Sequence, residues 1–135
     1  MKKLYTIVLF TMTTLSVTSQ VIITEIADPN NDSQARFIEL ANIGDNAFDL
    51  TGYQLVRWTN ANTAYTTSSA VDLSEFGSLQ SKGILTLANN TNFETVYSVA
   101  PTKVIGSGGP ADSNGDDNEI GLVSYFITKF PESKV

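Results

Sequence analysis

The sequence predicts an all-β domain, either a sandwich or a barrel. Three strand-sized apolar runs open it, at residues 21–26, 36–42 and 49–55. Turn-forming residues separate these runs, because residues 28–33 and 42–46 are rich in Asp, Asn, Gly, Pro and Ser. Strand signals then continue at intervals of roughly ten residues, which is typical of short strands joined by tight turns.

The side-chain alternation of a strand assigns a core face to each of the first runs. In the first run we expect Ile22 to point into the core, and in the second run Ile38 and Leu40. Residues 48–58 form either one long strand or two short strands that pivot at Thr51-Gly52.

The second half of the chain continues the strand pattern and adds one helix. Residues 59–70 are rich in Thr, Asn, Ala and Ser, which suits an exposed connection or an edge hairpin. We predict strands over residues 84–88, 103–105 and 119–123. Apolar residues within 93–100 fall at i, i+3, i+4 and i+7, which predicts one short helix. The predicted core residues are Ile22, Ile38, Leu40, Tyr53, Leu55, Leu85, Leu87, Ile120 and Leu122.

Residues 1–19 have the pattern of a secretory signal peptide. Lys2 and Lys3 give a charged start, residues 4–17 are mostly apolar, and small residues precede Gln20. A membrane anchor or a first core strand are the rival interpretations, but the apolar run is short for a membrane-spanning helix. We therefore expect one domain over residues 20–135, secreted, periplasmic or on the cell surface, and not inserted in a membrane after cleavage.

Composition excludes several kinds of chemistry. The whole chain has a net charge of -6, and loss of Lys2 and Lys3 leaves -8, which disfavours binding to nucleic acid or anionic lipid. The chain contains no cysteine and no histidine. Thiol nucleophiles, Ser-His-Asp triads, imidazole acid–base catalysis and the common zinc sites are therefore excluded.

A series of short motifs, in order, resembles the lamin tail domain family. The motifs are Glu25 in the first strand, Phe37-Ile-Glu-Leu40 with Asn42, Leu50-Thr-Gly-Tyr53 with Leu55, the Gly83-led strand to Leu87, Phe93 with Tyr97, and Asn114-Gly-Asp-Asp117. The resemblance implies an all-β fold, an immunoglobulin-like β-sandwich with one short helix. It is nearest to the bacterial secreted members of the family.

The resemblance implies a non-catalytic binding or structural module, for protein interaction or cell-surface attachment. Bacterial members resemble accessory domains that occur beside secreted nucleases, phosphatases and cell-surface proteins. The implied partner is an unidentified protein or a cell-surface glycan. Two alternatives remain open, a calcium-assisted glycan or surface binder and an accessory domain of a secreted hydrolase or nuclease. This remains analogy, because a fold does not determine a function.

The sequence departs from the family after Val123. Members usually continue with a tight turn and a closing strand, whereas residues 124–135 contain no Gly or Asn to mark that turn. Either residues 126–130 form the closing strand or the domain lacks it. A missing closing strand would leave a sheet edge open to pairing with other chains.

The acidic segment 112–119 is the candidate metal site. Oxygen-bearing side chains at Asp112, Asn114 and Asp116 are spaced as in the first half of a calcium loop, and Asp117 adds a further carboxylate. The complete EF-hand pattern fails, because Asp117 occupies its glycine position and Val123 its last ligand position. The alternative is an Asn-Gly turn flanked by solvated acids. Calcium is the only cofactor that the sequence suggests.

Two aromatic residues are the candidate ligand-binding residues. Trp58 and Tyr65 would stack on sugar rings if they lie on an exposed face. Glu25 and Glu39 have the residue types of a glycosidase carboxylate pair, but no supporting catalytic groups accompany them. We therefore expect no catalytic residues. The glycine-rich residues 106–110 lack the lysine of a phosphate-binding loop and predict only a connection.

Overall fold

The computed structural model describes residues 20–60, 62–114 and 119–124. Within these residues the chain forms nine strands and one α-helix. The elements are β1 Val21–Ala27, β2 Phe37–Asn42, β3 Phe48–Asp49, β4 Tyr53–Trp58, β5 Ala70–Asp72, β6 Ser78–Leu79, β7 Ile84–Ala88, α1 Asn92–Tyr97, β8 Lys103–Val104 and β9 Glu119–Ser124. Short 3-10 turns lie at Ser33–Ala35, Thr67–Ser69 and Leu73–Phe76.

Two sheets face each other across one core. The first sheet has the strand order β1-β2-β7-β8, antiparallel except for the parallel pair β7 and β8. The second sheet has the order β5-β4-β9 and is antiparallel, and β3 pairs with β6 separately. Buried side chains from both sheets, such as Leu40 and Leu55, belong to one core cluster. The predicted immunoglobulin-like β-sandwich with one short helix is therefore confirmed.

Cross-strand pairs build the core from alternate residues of β2 and β7. Ile38 lies opposite Leu87, and Leu40 lies opposite Leu85, all facing the second sheet. Burial of one such side chain contributes about 1.5–3 kcal/mol. The buried core cluster comprises Val21, Ile38, Leu40, Leu50, Leu55, Leu73, Leu85, Leu87 and Ala111.

Most of the predicted core residues are confirmed. Ile38, Leu40, Leu55, Leu85 and Leu87 are buried in the core cluster. Three further predicted core residues are partly buried and pack against this cluster: Tyr53, Ile120 and Leu122.

The predicted face of β1 is wrong. Val21 is buried and Ile23 packs against the core, whereas Ile22 pairs with Ala41 on the opposite, outer face of the first sheet. Three successive apolar residues satisfy either alternation, so the pattern did not distinguish the faces. Register with β2 decides it, because Ile23 lies opposite the inward Leu40. An irregularity between Ile23 and Glu25 then shifts the register.

The single helix covers the outer face of the first sheet where β2 begins. Phe37 points away from the core, and Phe93 and Tyr97 of α1 pack on it, each edge-to-face at 5.1 Å between ring centroids. The helix predicted over residues 93–100 is therefore present but shorter. It ends because Ser98 adopts a left-handed conformation with φ 58°, and its N–H donates to the Glu94 carbonyl at 2.9 Å.

The remaining strand predictions agree with the structure where it describes them. Residues 48–58 form two strands, and Gly52 allows the turn between them with φ 79°. The strands predicted over 84–88, 103–105 and 119–123 appear as β7, β8 and β9. The signal-peptide prediction and the question of a closing strand concern residues outside the described ranges. No helix in the described part of the chain is long and apolar enough to cross a membrane.

We expect Leu40→Ala to lower the free energy of unfolding by about 2–5 kcal/mol, because it leaves a cavity in the centre of the core. Ile84→Ala is the control, since Ile84 is 57% exposed and pairs with the residue that follows Leu40. Its effect should lie within about 0.5 kcal/mol of zero. Urea unfolding of both variants measures this, and equal effects would contradict the assigned face of the first sheet.

Candidate functional site

A group of residues joined by polar contacts, here called the Asp112 cluster, lies at one end of the sandwich. The cluster consists of Asp28, Arg36, Arg57, Asn89, Gly108 and Asp112. Asp112 Oδ1 accepts hydrogen bonds from Arg36 Nη1 at 3.0 Å and from Asn89 Nδ2 at 3.2 Å. Asp112 Oδ2 accepts from the Gly108 N–H at 3.0 Å. The Asp112 carboxylate therefore accepts hydrogen bonds from a guanidinium group, a side-chain amide and a backbone N–H.

Neighbouring strands of the first sheet place Arg36 and Asn89 side by side. Arg36 directly precedes β2 and Asn89 directly follows β7, and the antiparallel pair begins at Phe37 and Ala88. The Asn89 N–H donates to the Arg36 carbonyl at 2.9 Å, which extends the ladder by one bond. The loop that carries Asp112 is also anchored to the hydrophobic core, because the preceding residue, Ala111, belongs to the core cluster.

Arg57 brings the second sheet to the same loop. It lies near the end of β4 and is only 8% exposed, although it carries a charge. Its Nη2 donates to the Gly108 carbonyl at 3.0 Å, and its Nη1 donates to the Asp112 carbonyl. The Asp112 side chain therefore bonds to residues at the ends of strands in the first sheet, and the Asp112 backbone carbonyl bonds to Arg57 of the second sheet.

Arg36 also joins the loop after β1 to the cluster. Its Nε donates to Asp28 Oδ1 at 2.7 Å, so that it lies between two carboxylates. The hydrogen bond that Arg36 donates to Asp28 is the largest cause that raises the pKa of Arg36; burial lowers this pKa, and the hydrogen bond to Asp112 raises it further. Arg36, like any arginine, is charged at physiological pH. Farther along the same loop, Asp32 Oδ2 accepts from Asn92 Nδ2 at 2.8 Å.

The structure describes two of the four predicted metal ligands. Asp112 is engaged by Arg36, Asn89 and Gly108, and Asn114 is exposed. Asp116 and Asp117 lie outside the described ranges. Among the residues that the structure describes, no three acidic side chains come together as a group that could hold a metal ion. The calcium site stays a prediction.

The two predicted sugar-stacking residues contact each other. The rings of Trp58 and Tyr65 are 5.6 Å apart between centroids and nearly perpendicular. Tyr65 also donates its hydroxyl hydrogen to Gln54 Oε1 at 3.3 Å. The Trp58 ring lies over Gly121 of β9, where an added Cβ would come within 3.0 Å of it. Both aromatic residues are half-buried, and their proposed role in ligand binding stays a prediction.

The sequence did not reveal an exposed apolar row on the outer face of the first sheet. Ala41 lies between Ile22 and Ile84 in register across three strands, and Ile43 follows at the end of β2. Ile84 is 57% exposed and Ile43 is 50% exposed. One feature of the sequence could have indicated this row: the successive apolar residues at the start of β1 place apolar side chains on both faces of the strand.

Two glutamates lie next to this row on the same face. Glu25 and Glu39 are directly opposite each other in the β1–β2 register, and Thr24 Oγ1 donates to Glu39 Oε1 at 2.6 Å. Burial is the main cause that raises the pKa of Tyr97, and the negative charge of Glu25 adds to it. The glutamates and the apolar row together are called the outer-face patch: Ile22, Glu25, Glu39, Ala41, Ile43 and Ile84.

Comparison with known proteins agrees with the fold. The model of a family described as the Lamin Tail Domain matches residues 14–125, which is most of the 135-residue chain. The matched range contains every strand from β1 to β9 and the helix α1. No curated protein matches the chain.

The calcium prediction has a direct test in thermal stability. If the acidic segment binds calcium, millimolar calcium will raise the Tm of the protein, because a ligand that binds only the folded state stabilises it. Asp116→Ala should abolish that rise. Asp45→Ala is the matched control, since Asp45 is exposed and lies outside the segment. Absence of any calcium-dependent shift in the unmodified protein would exclude the site.

Proposed function

Because the chain belongs to the lamin tail domain family, whose immunoglobulin-like domains are of a binding or structural kind, we propose that it is an exported, non-catalytic module that binds another protein. The signal-peptide pattern of residues 1–19 supports export. The observation that supports protein binding is the outer-face patch, which combines exposed isoleucines with two facing carboxylates.

The apolar part of the patch favours a contact that excludes water. Ile43 and Ile84 are each half exposed or more, and Ile22 lies in the same cross-strand row as Ile84. Covering apolar surface gains roughly 25 cal/mol per Å², so a partner that covers these side chains gains free energy. Contiguous exposed apolar side chains with a polar border are typical of protein interaction sites.

The acidic part of the patch indicates the chemistry of the partner. Like charges directly opposite each other in adjacent strands destabilise a sheet, so the stability of the fold does not account for Glu25 facing Glu39. Within the described residues neither glutamate forms an ion pair. Two lysine or arginine side chains of a partner would balance the two charges. We therefore propose a partner surface with an apolar centre and a basic border.

The charge of the whole domain supports the same partner. A net charge of -8 for residues 20–135 attracts basic surfaces over long range and accelerates their encounter. For an exported protein, the available partners are proteins of the cell surface or the surrounding medium. The attachment function that follows is adhesion or anchoring, without catalysis by this chain.

The test begins with crosslinking in the cells that produce the protein. A photoreactive amino acid at Ile43 should capture a specific partner, whereas the same group at the exposed Thr63 should not. With the captured partner purified, we expect Ile84→Asp to weaken binding by at least about 10-fold, because it places a charge in the apolar contact. The double variant Glu25→Gln, Glu39→Gln should weaken binding and reduce its dependence on salt.

Glu94→Gln serves as the matched control, since Glu94 is an exposed glutamate on α1 outside the patch. It should leave the affinity unchanged. The proposal is contradicted if the purified partner binds the Ile84→Asp variant as tightly as the unmodified protein. Capture at Thr63 but not at Ile43 would likewise assign the interaction to another surface.

A further inference from the structure

A polar pocket lies beside the Asp112 cluster, at the end of β2 opposite to Ile43. Its volume is about 380 Å³. Its lining residues are Arg36, Arg57, Thr59, Asn60, Asp112 and Asn114. Every lining residue is polar or charged, so the pocket suits a hydrophilic ligand. The geometry points to a second binding site in this pocket, for a small hydroxylated carboxylate of the sugar-acid class.

The positive charge of Arg57 is the first reason. Arg57 is more than nine-tenths buried and lines the pocket, and its guanidinium group donates hydrogen bonds to the backbone carbonyls of Gly108 and Asp112. Within the described residues no carboxylate pairs with it, and its buried Nε has no acceptor. A buried charge is costly unless an opposite charge compensates it. A bound anion would supply that charge beside two guanidinium groups.

The charge balance selects the kind of anion. Arg36 is already paired with the carboxylates of Asp28 and Asp112, whereas none of the described carboxylates pairs with Arg57, so the lining holds one positive charge that lacks a counter-ion. A singly charged carboxylate matches this balance. A doubly charged phosphate would leave one negative charge uncompensated close to the Asp112 carboxylate. Arginine forks also match the planar geometry of a carboxylate.

Size and the remaining residues select a sugar acid among carboxylates. Small-molecule pockets occupy roughly 300–1,000 Å³, and this one is near the lower limit, which suits a single sugar ring. Thr59 contributes a hydroxyl group, and Asn60 and Asn114 contribute amides. Such groups exchange hydrogen bonds with sugar hydroxyls.

The two arginines are held in place before any ligand binds. The Asp112 carboxylate fixes Arg36, and the Asp112 carbonyl fixes Arg57, so neither side chain needs to be ordered on binding. Loss of side-chain freedom is a substantial cost of association when a site is not preorganised. Asp112 therefore orients both arginines of the pocket.

The experiment is a titration of the full chain with glucuronate, followed by amide chemical shifts in NMR spectra. We expect saturable shifts at residues around the pocket. Glucose lacks the carboxylate and acetate lacks the hydroxyls, and each should bind at least about 10-fold more weakly, because unpaired polar groups in a site are costly. Inorganic phosphate should also bind more weakly than glucuronate.

Three variants locate the binding. Arg57→Lys keeps the charge but cannot reproduce the fork, and we expect at least about a 10-fold loss of glucuronate affinity. Thr59→Val and Asn60→Gly change the border of the pocket without removing a buried charge, and each should lose affinity. Glycine tolerates the left-handed conformation of Asn60, whose φ is 52°. Lys82→Gln is the control and should bind as the unmodified protein does, because Lys82 lies at the other end of β2.

Several results would overturn the inference. These are shifts that do not saturate, equal binding of glucose, tighter binding of phosphate, or glucuronate affinity that Thr59→Val and Asn60→Gly both leave unchanged. If Arg57→Lys unfolds the domain, the two border variants decide the outcome alone. The titration needs no protein partner, so failure of the outer-face patch to bind a protein does not affect this result.

Discussion

The contacts of Asp112 fasten the two sheets of this sandwich to each other at one end. Its carboxylate holds Arg36 and Asn89 of the first sheet, and its carbonyl accepts from Arg57 of the second. The chain has no cysteine, so no disulfide joins the sheets. The hydrophobic core holds them together but is non-directional, whereas charge-assisted hydrogen bonds fix relative position. The geometry of the polar pocket depends on this fastening.

Local periodicity in the sequence was sufficient to predict the strands and most of their core faces. Alternation in residues 37–42 and 84–88 identified the core faces of β2 and β7 correctly. It failed for Ile22, because three successive apolar residues fit either face and only the register with β2 decides between them. The resemblance to lamin tail domains supplied the architecture that periodicity alone left open between a sandwich and a barrel.

The candidate site was less predictable, because its contacts join distant parts of the chain. The spacing of Asp112, Asn114 and Asp116 predicts a calcium ligand at Asp112, and the structure does not test that prediction. In the fold Asp112 pairs with Arg36, which lies 76 residues away. Nothing local to either residue indicates that pairing. The outer-face patch was missed for a similar reason, since Glu25 and Glu39 become a facing pair only through strand register.

The most direct test of the account asks whether Arg36 and Arg57, on different sheets, are coupled through Asp112. Unfolding free energies are measured for Arg36→Met, Arg57→Met and the double variant, with and without Asp112→Asn. We expect the double variant to be less destabilised than the sum of the single variants by about 0.5–3 kcal/mol. This coupling should largely disappear in the Asp112→Asn background. Additive effects, or a coupling that Asp112→Asn leaves unchanged, would contradict the central role of Asp112.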